Sequence, residues 1–165
     1  MDTYRQYQAY CHERNFGCRI RELLYRDHRC LYLENELLRI LVVADKGADI
    51  LEFLYKPIDM EFLWQSYNGL RRFNHYRPSN PLLDGHFREY YAGGWHEMLP
   101  NGAGPCNHRG AFFGQHGEAT LLPWDYRIEV DEPGRVQVTF RVRTVRLPLL
   151  EASRTSPGAR RRGLL

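Results

Sequence analysis

Histidine is the side chain whose charge changes near neutral pH, so its placement is the first guide to acid–base chemistry. Five of the seven histidines, His75, His86, His96, His108 and His116, fall between positions 75 and 116. Half of the fourteen glycines lie between Gly93 and Gly117, inside the same region. Missing side chains let a ligand approach the backbone, and an imidazole can give or take a proton at working pH. His116, between Gly114 and Gly117, is the leading catalytic candidate, with His96 second. In an extended chain His116 and Glu118 project to one side, where an imidazole and a carboxylate could grip adjacent hydroxyl groups. A surface hairpin with solvated polar side chains is the other reading of the same residues.

His96 stands between Trp95 and Glu97, and alternate residues of an extended chain face opposite ways. Only one of these faces can line a pocket: Trp95 would offer a flat apolar platform, His96 a polar group, and either could instead serve packing. Asn101 follows Pro100 and could bind hydroxyls through its amide or cap a turn. Arg71, Arg72, Arg77, Arg88 and Arg109 could hold an anionic group through forked donors, or form a solvated loop face. Trp95, Glu97, Asn101, Glu118, Arg88 and Arg109 make up the candidate binding set around the two histidines. Trp64 and Trp124 are expected in the core. His86, His96, His108 and His116 could ligate a metal, but His-Glu at 96–97 continues Met-Leu-Pro rather than completing a zincin motif, so no metal is expected. Gly102-Ala103-Gly104-Pro105 is not a dinucleotide fingerprint, and nothing orients Cys106 against His108 as a nucleophile, so no cofactor is expected.

The elements that must position these residues read as strands. CRIRELLY (18–25) alternates before turning apolar, and CLYLENELLRILVVA splits into two runs at Glu34-Asn35-Glu36. A turn at Asp45-Lys46-Gly47 precedes ADILEFLY (48–55), and Pro57 to Asp59 leads into MEFLW. WDYRIEV (124–130) and RVQVTFRVRTV (135–145) follow the glycine-rich stretch, the latter with Val136, Val138, Phe140 and Val142 on one face. Short strands, tight polar turns and no amphipathic helix between them predict an all-β, antiparallel β-sandwich. Residues 65–92 lose the period and read as a long loop or a short helix-containing insertion whose aromatic residues argue for order.

Three segments result: an arm over 1–17 (a short helix or an extended stretch), a sandwich over 18–146, and an irregular or disordered tail over 147–165. The tail has no period and ends in an Arg cluster, which also fits a missing native continuation. Net charge is +3, but residues 1–146 carry 19 basic and 19 acidic side chains, so the surplus sits in the tail and no nucleic-acid partner is expected. No apolar run has the length of a membrane span, and MDTYRQYQAY lacks a signal-peptide centre, so a cytoplasmic protein without a membrane partner is expected. Cys11, Cys18, Cys30 and Cys106 lack Cys-x-x-Cys spacing and are expected as thiols.

Three stretches in order resemble the galactose mutarotase-like superfamily of aldose 1-epimerases and their relatives: LENELLRILVVADKGADILEFLYKPIDMEFLW (33–64), GGWHEMLPN (93–101) and HGEATLLPW (116–124). The resemblance covers roughly residues 30–146, the N-terminal half of a truncated supersandwich domain. It implies a small-molecule sugar as partner and anomer interconversion by acid–base ring opening, with no cofactor. It also implies that the general-base carboxylate lies in a later half with no counterpart here. A non-catalytic carbohydrate-binding domain and an inactive fragment are the alternatives. Oligomeric state is not legible.

Overall fold

The computed structural model describes residues 14–72, 85–146 and 151–157, and for 85–86 and 151–157 the backbone alone. His75 and Arg77, and nearly all of the expected arm over 1–17, lie outside the described residues.

The alternating sequence from Arg19 onward folds into an antiparallel meander. Its strands β1 (Arg19–Tyr25), β2 (His28–Glu34), β3 (Leu38–Val43), β4 (Asp49–Tyr55) and β5 (Met60–Glu61) pair in chain order. The β1–β2 turn has both central residues at positive φ, Arg26 at 48° and Asp27 at 64°, a backbone twist that matches the flanking strands. The β2–β3 turn forms where Asn35 Oδ1 accepts from the backbone N–H of Leu37 and of Leu38, each at 2.8 Å. After a short α-helix, α1 (Gly85–Tyr90), come a small hairpin, β6 (Cys106–His108) and β7 (Ala111–Phe113), and a second main sheet. That sheet contains β8 (Asp125–Glu132), β9 (Arg135–Arg143) and β10 (Glu151–Pro157) in the order β10-β9-β8.

The two larger sheets meet as a sandwich. Leu31, Leu33 and Val42 of the first pack with Val136, Val138, Phe140 and Val142 of β9, whose burial alternates as its sequence does. Trp124 is buried in this core and donates its indole N–H to Ala119 O at 2.9 Å. The first sheet is covered on its other face too, where Cys30, Leu41, Val43 and Leu51 pack with Leu70 and Ala92. A sheet buried on both sides explains why Ile40 to Ala44 is an unbroken apolar run.

Three expectations are corrected. MEFLW shortens to a two-residue strand, and Trp64, expected in the core, is 62% exposed. Its backbone is held instead, Trp64 O accepting from Gly94 N at 2.7 Å, while the ring lies 6.1 Å from Tyr91. The tail, expected to be irregular, contains β10, registered from Glu151 opposite Arg143 to Pro157 opposite Gln137. The open edge of β9 offers backbone donors and acceptors, and ladder bonds need no side-chain period.

Candidate functional site

The glycine-rich region is built by close backbone approaches that only glycine permits. Gly93 and Gly94 have φ of 89° and 77°, and a Cβ on either would fall 2.4 Å from Trp64 O or 2.2 Å from Ile50 O. This seats Trp95, whose N–H and C=O pair with Ile50 at 2.9 and 2.8 Å. The chain then passes a cis Leu99–Pro100 bond and reaches the 116–118 turn, where Leu99 O accepts from Glu118 N at 2.9 Å. Gly117, at φ 76°, is required here, since a Cβ would lie 2.1 Å from Leu99 O.

Those approaches bring the two leading histidines together. The rings of His96 and His116 stand with centroids 5.6 Å apart, both half-buried. Phe87 of α1 touches both, at 5.2 Å from His96 and, edge-on, at 4.5 Å from His116. Tyr91, just past the end of α1, stacks on Phe87 at 5.1 Å and meets His96 edge-on at 5.2 Å. Nδ1 of His96 is buried, and among the described residues no hydrogen-bond partner reaches it. Burial, then the positive charge of Lys46 and the neighbouring His116, push the His96 imidazole below its ordinary value, against a smaller opposing pull from Glu97. Lys46 is itself fully buried, ion-paired with Asp49 in the turn before β4.

His116 is fixed more tightly. Its φ is 62°, a strained value for a residue with a side chain, and its backbone N–H donates to Ala103 O at 3.0 Å. Its Nδ1 lies 3.2 Å from Gly102 O, and its Nε2 lies 3.2 Å from Gln115 Nε2.

The other candidates separate. Trp95 and His96 do face differently: the indole is 57% exposed while the imidazole joins the aromatic cluster. Glu97 is half-buried beside His96. Asn101 Nδ2 donates to Gly104 O and Gly114 O, both at 3.0 Å, tying the two limbs of the loop, and its Oδ1 is buried with no partner among the described residues. Arg88, exposed on α1, reaches Gln115 Oε1 at 3.5 Å. Arg109 sits at φ 50° at the exposed tip of the β6–β7 hairpin, away from the turn that holds His116. The expected common face of His116 and Glu118 does not form, because the backbone turns at 116–118 instead of extending. Glu118 is buried and its carboxylate accepts from the N–H of Val145 at 3.1 Å and of Arg146 at 3.0 Å, anchoring the chain beyond β9.

Sequence reasoning missed Phe87, Tyr91, Gln115 and Lys46. The i, i+4 spacing of Phe87 and Tyr91 was a usable signal; nothing in the sequence marks a turn lysine as buried. A cavity of about 160 Å³ lies instead on the face of the first sheet where Leu41, Leu51, Leu70 and Ala92 pack, lined also by Tyr25, Arg26, Tyr32, Glu52 and Gln65, and by neither imidazole. Among the described residues, no three or more His, Cys, Asp or Glu side chains gather as a metal site, and no helix is long and apolar enough to cross a membrane.

No protein-family model matches the sequence, and a comparison with curated proteins finds no match. Solved structures do match. The chain aligns with a "putative mutarotase (YeaD)" from Salmonella typhimurium at a TM-score of 0.51 and 18% identity, over 86% of this chain and 42% of that one. It aligns with HI1317 at a TM-score of 0.51 and 15% identity, over 83% of this chain and 47% of that one. The chain thus has the antiparallel, galactose mutarotase-like β fold of these structures and spans less than half the length of each.

Proposed function

We propose that the chain carries the imidazole wall of an aldose 1-epimerase-like sugar site, which in a longer parent interconverts anomers by acid–base ring opening. The observation that carries this reading is the His96–His116 pair, two half-buried rings whose centroids lie 5.6 Å apart. An imidazole can donate to or accept from a sugar hydroxyl through its ring nitrogens. Phe87 and Tyr91 add the apolar wall that pyranose pockets use.

Anomer exchange needs one group that takes the proton of the anomeric hydroxyl and one that protonates the ring oxygen. The ring opens, the C1–C2 bond rotates, and reclosure on the other face returns both protons. In this reading His96 and His116 exchange those protons, Trp95, Glu97 and Asn101 border the ligand, and Arg88 serves only a charged sugar. Residues 30–146 offer no counterpart of the late carboxylate that the resemblance implies. A binding domain without turnover is therefore the second reading, and a polarimetric or NMR assay of freshly dissolved sugar separates the two. Anomerisation above the buffer blank, lost in His116→Asn, supports the enzyme; saturable sugar binding at the blank rate supports the binding domain.

A further inference from the structure

We infer that Gln115, oriented by Arg88, is a positioning residue that holds His116 in the tautomer with its proton on Nδ1 and its lone pair on Nε2. The inference rests on the reading of His116 as an acid–base group and adds which of its ring nitrogens is free to face a ligand. A carbonyl oxygen only accepts, so Nδ1, 3.2 Å from Gly102 O, must carry the hydrogen. Nε2 of the neutral ring is then an acceptor, and the carboxamide nitrogen of Gln115 donates to it at 3.2 Å. The carboxamide oxygen of Gln115 faces Arg88 Nε at 3.5 Å, and a guanidinium only donates. Flipping the amide would set its oxygen against the Nε2 lone pair and its nitrogen against the Arg88 donor. Both contacts would repel, so the line Arg88 to Gln115 to His116 to Gly102 runs in one direction.

The scaffold keeps the ring from turning over. Phe87 stands edge-on 4.5 Å from it, and the backbone is left-handed at His116 itself, 62°, and at the following Gly117, 76°. A hydroxyl entering the site would displace the amide nitrogen of Gln115 and present its own hydrogen to the same lone pair. In this tautomer His116 meets the hydroxyl as a hydrogen-bond acceptor at Nε2.

The test is long-range proton–nitrogen NMR of the ring nitrogens in the full 165-residue chain, in mildly alkaline buffer where free histidine is neutral. His116 is assigned by the loss of its signals in His116→Asn. The expected pattern is a protonated Nδ1 and a bare Nε2; a protonated Nε2 with a bare Nδ1 overturns the inference without any variant. Gln115→Glu places an acceptor against Nε2 and should protonate both ring nitrogens at a pH where the parent carries one proton. An unchanged pattern in a folded Gln115→Glu chain would remove Gln115 from the role. Anomerisation at the blank rate beside the expected tautomer would sink the proposed function and leave this assignment standing.

Discussion

Phe87 lies against both His96 and His116, so one side chain from α1 fixes the separation of two imidazoles from distant loops. Removing it should loosen the pair as a pair. Phe87→Ala is expected to cost about 3–5 kcal/mol, the usual range for a buried phenylalanine. Phe87→Leu should cost less and still broaden the ring signals of both histidines together. Denaturant titration and histidine NMR check the two effects separately.

Glycine substitutions should divide by position. Gly94→Ala and Gly117→Ala force a Cβ to within 2.2 and 2.1 Å of a carbonyl oxygen at positive φ, and each should destabilise by about 2–4 kcal/mol. Gly104→Ala meets nothing within 4 Å and should stay within about 0.5 kcal/mol of the parent. Equal midpoints in urea for Gly104→Ala and Gly117→Ala would contradict the packing described.

Much of this was legible in the sequence, for a physical reason. β9 has one face in the core and one in water, so its period of two survives in the residues. The grouping of His96 with His116 was legible only as a cluster along the chain, because the contact depends on Gly117 meeting Leu99 backbone to backbone. Glu118 misled for a related reason: its expected direction presumed an extended chain, and the left-handed residues at 116 and 117 remove that premise. β10 was invisible because pairing along the edge of β9 is written in the backbone. Trp64 misled because its size suggests burial, whereas here its main chain, not its ring, makes the fixed contact.

Stability should fall on acidification below neutrality. His28 and His96 are both held below the ordinary value of 6.5, each chiefly by burial. The unfolded chain then binds more protons than the folded chain as pH drops through 6.5, so each group subtracts stability from there down through its lower folded value. Above 6.5 both states are neutral and the effect vanishes. Melting curves at a series of pH values should show this slope, and His28→Gln with His96→Gln should flatten it.

The buried pair of Lys46 and Asp49 should be costly to break from one side. Lys46→Met leaves the Asp49 carboxylate buried, its side chain 1% exposed, without its ammonium partner, and a loss of about 3–5 kcal/mol is expected. The same substitution removes a positive charge that opposes protonation of His96, so the His96 imidazole should titrate higher in Lys46→Met. A His96 titration unmoved in a folded variant would disconnect the two.

The central claim is that His96 and His116 face one ligand, and titrating monosaccharides into the chain while following both imidazoles by NMR tests it most directly. The account expects the ring signals of both residues to move together and saturate with one sugar, and His96→Asn to weaken the response at His116. Rings that stay put at every sugar concentration, or that move with unrelated midpoints, would contradict it.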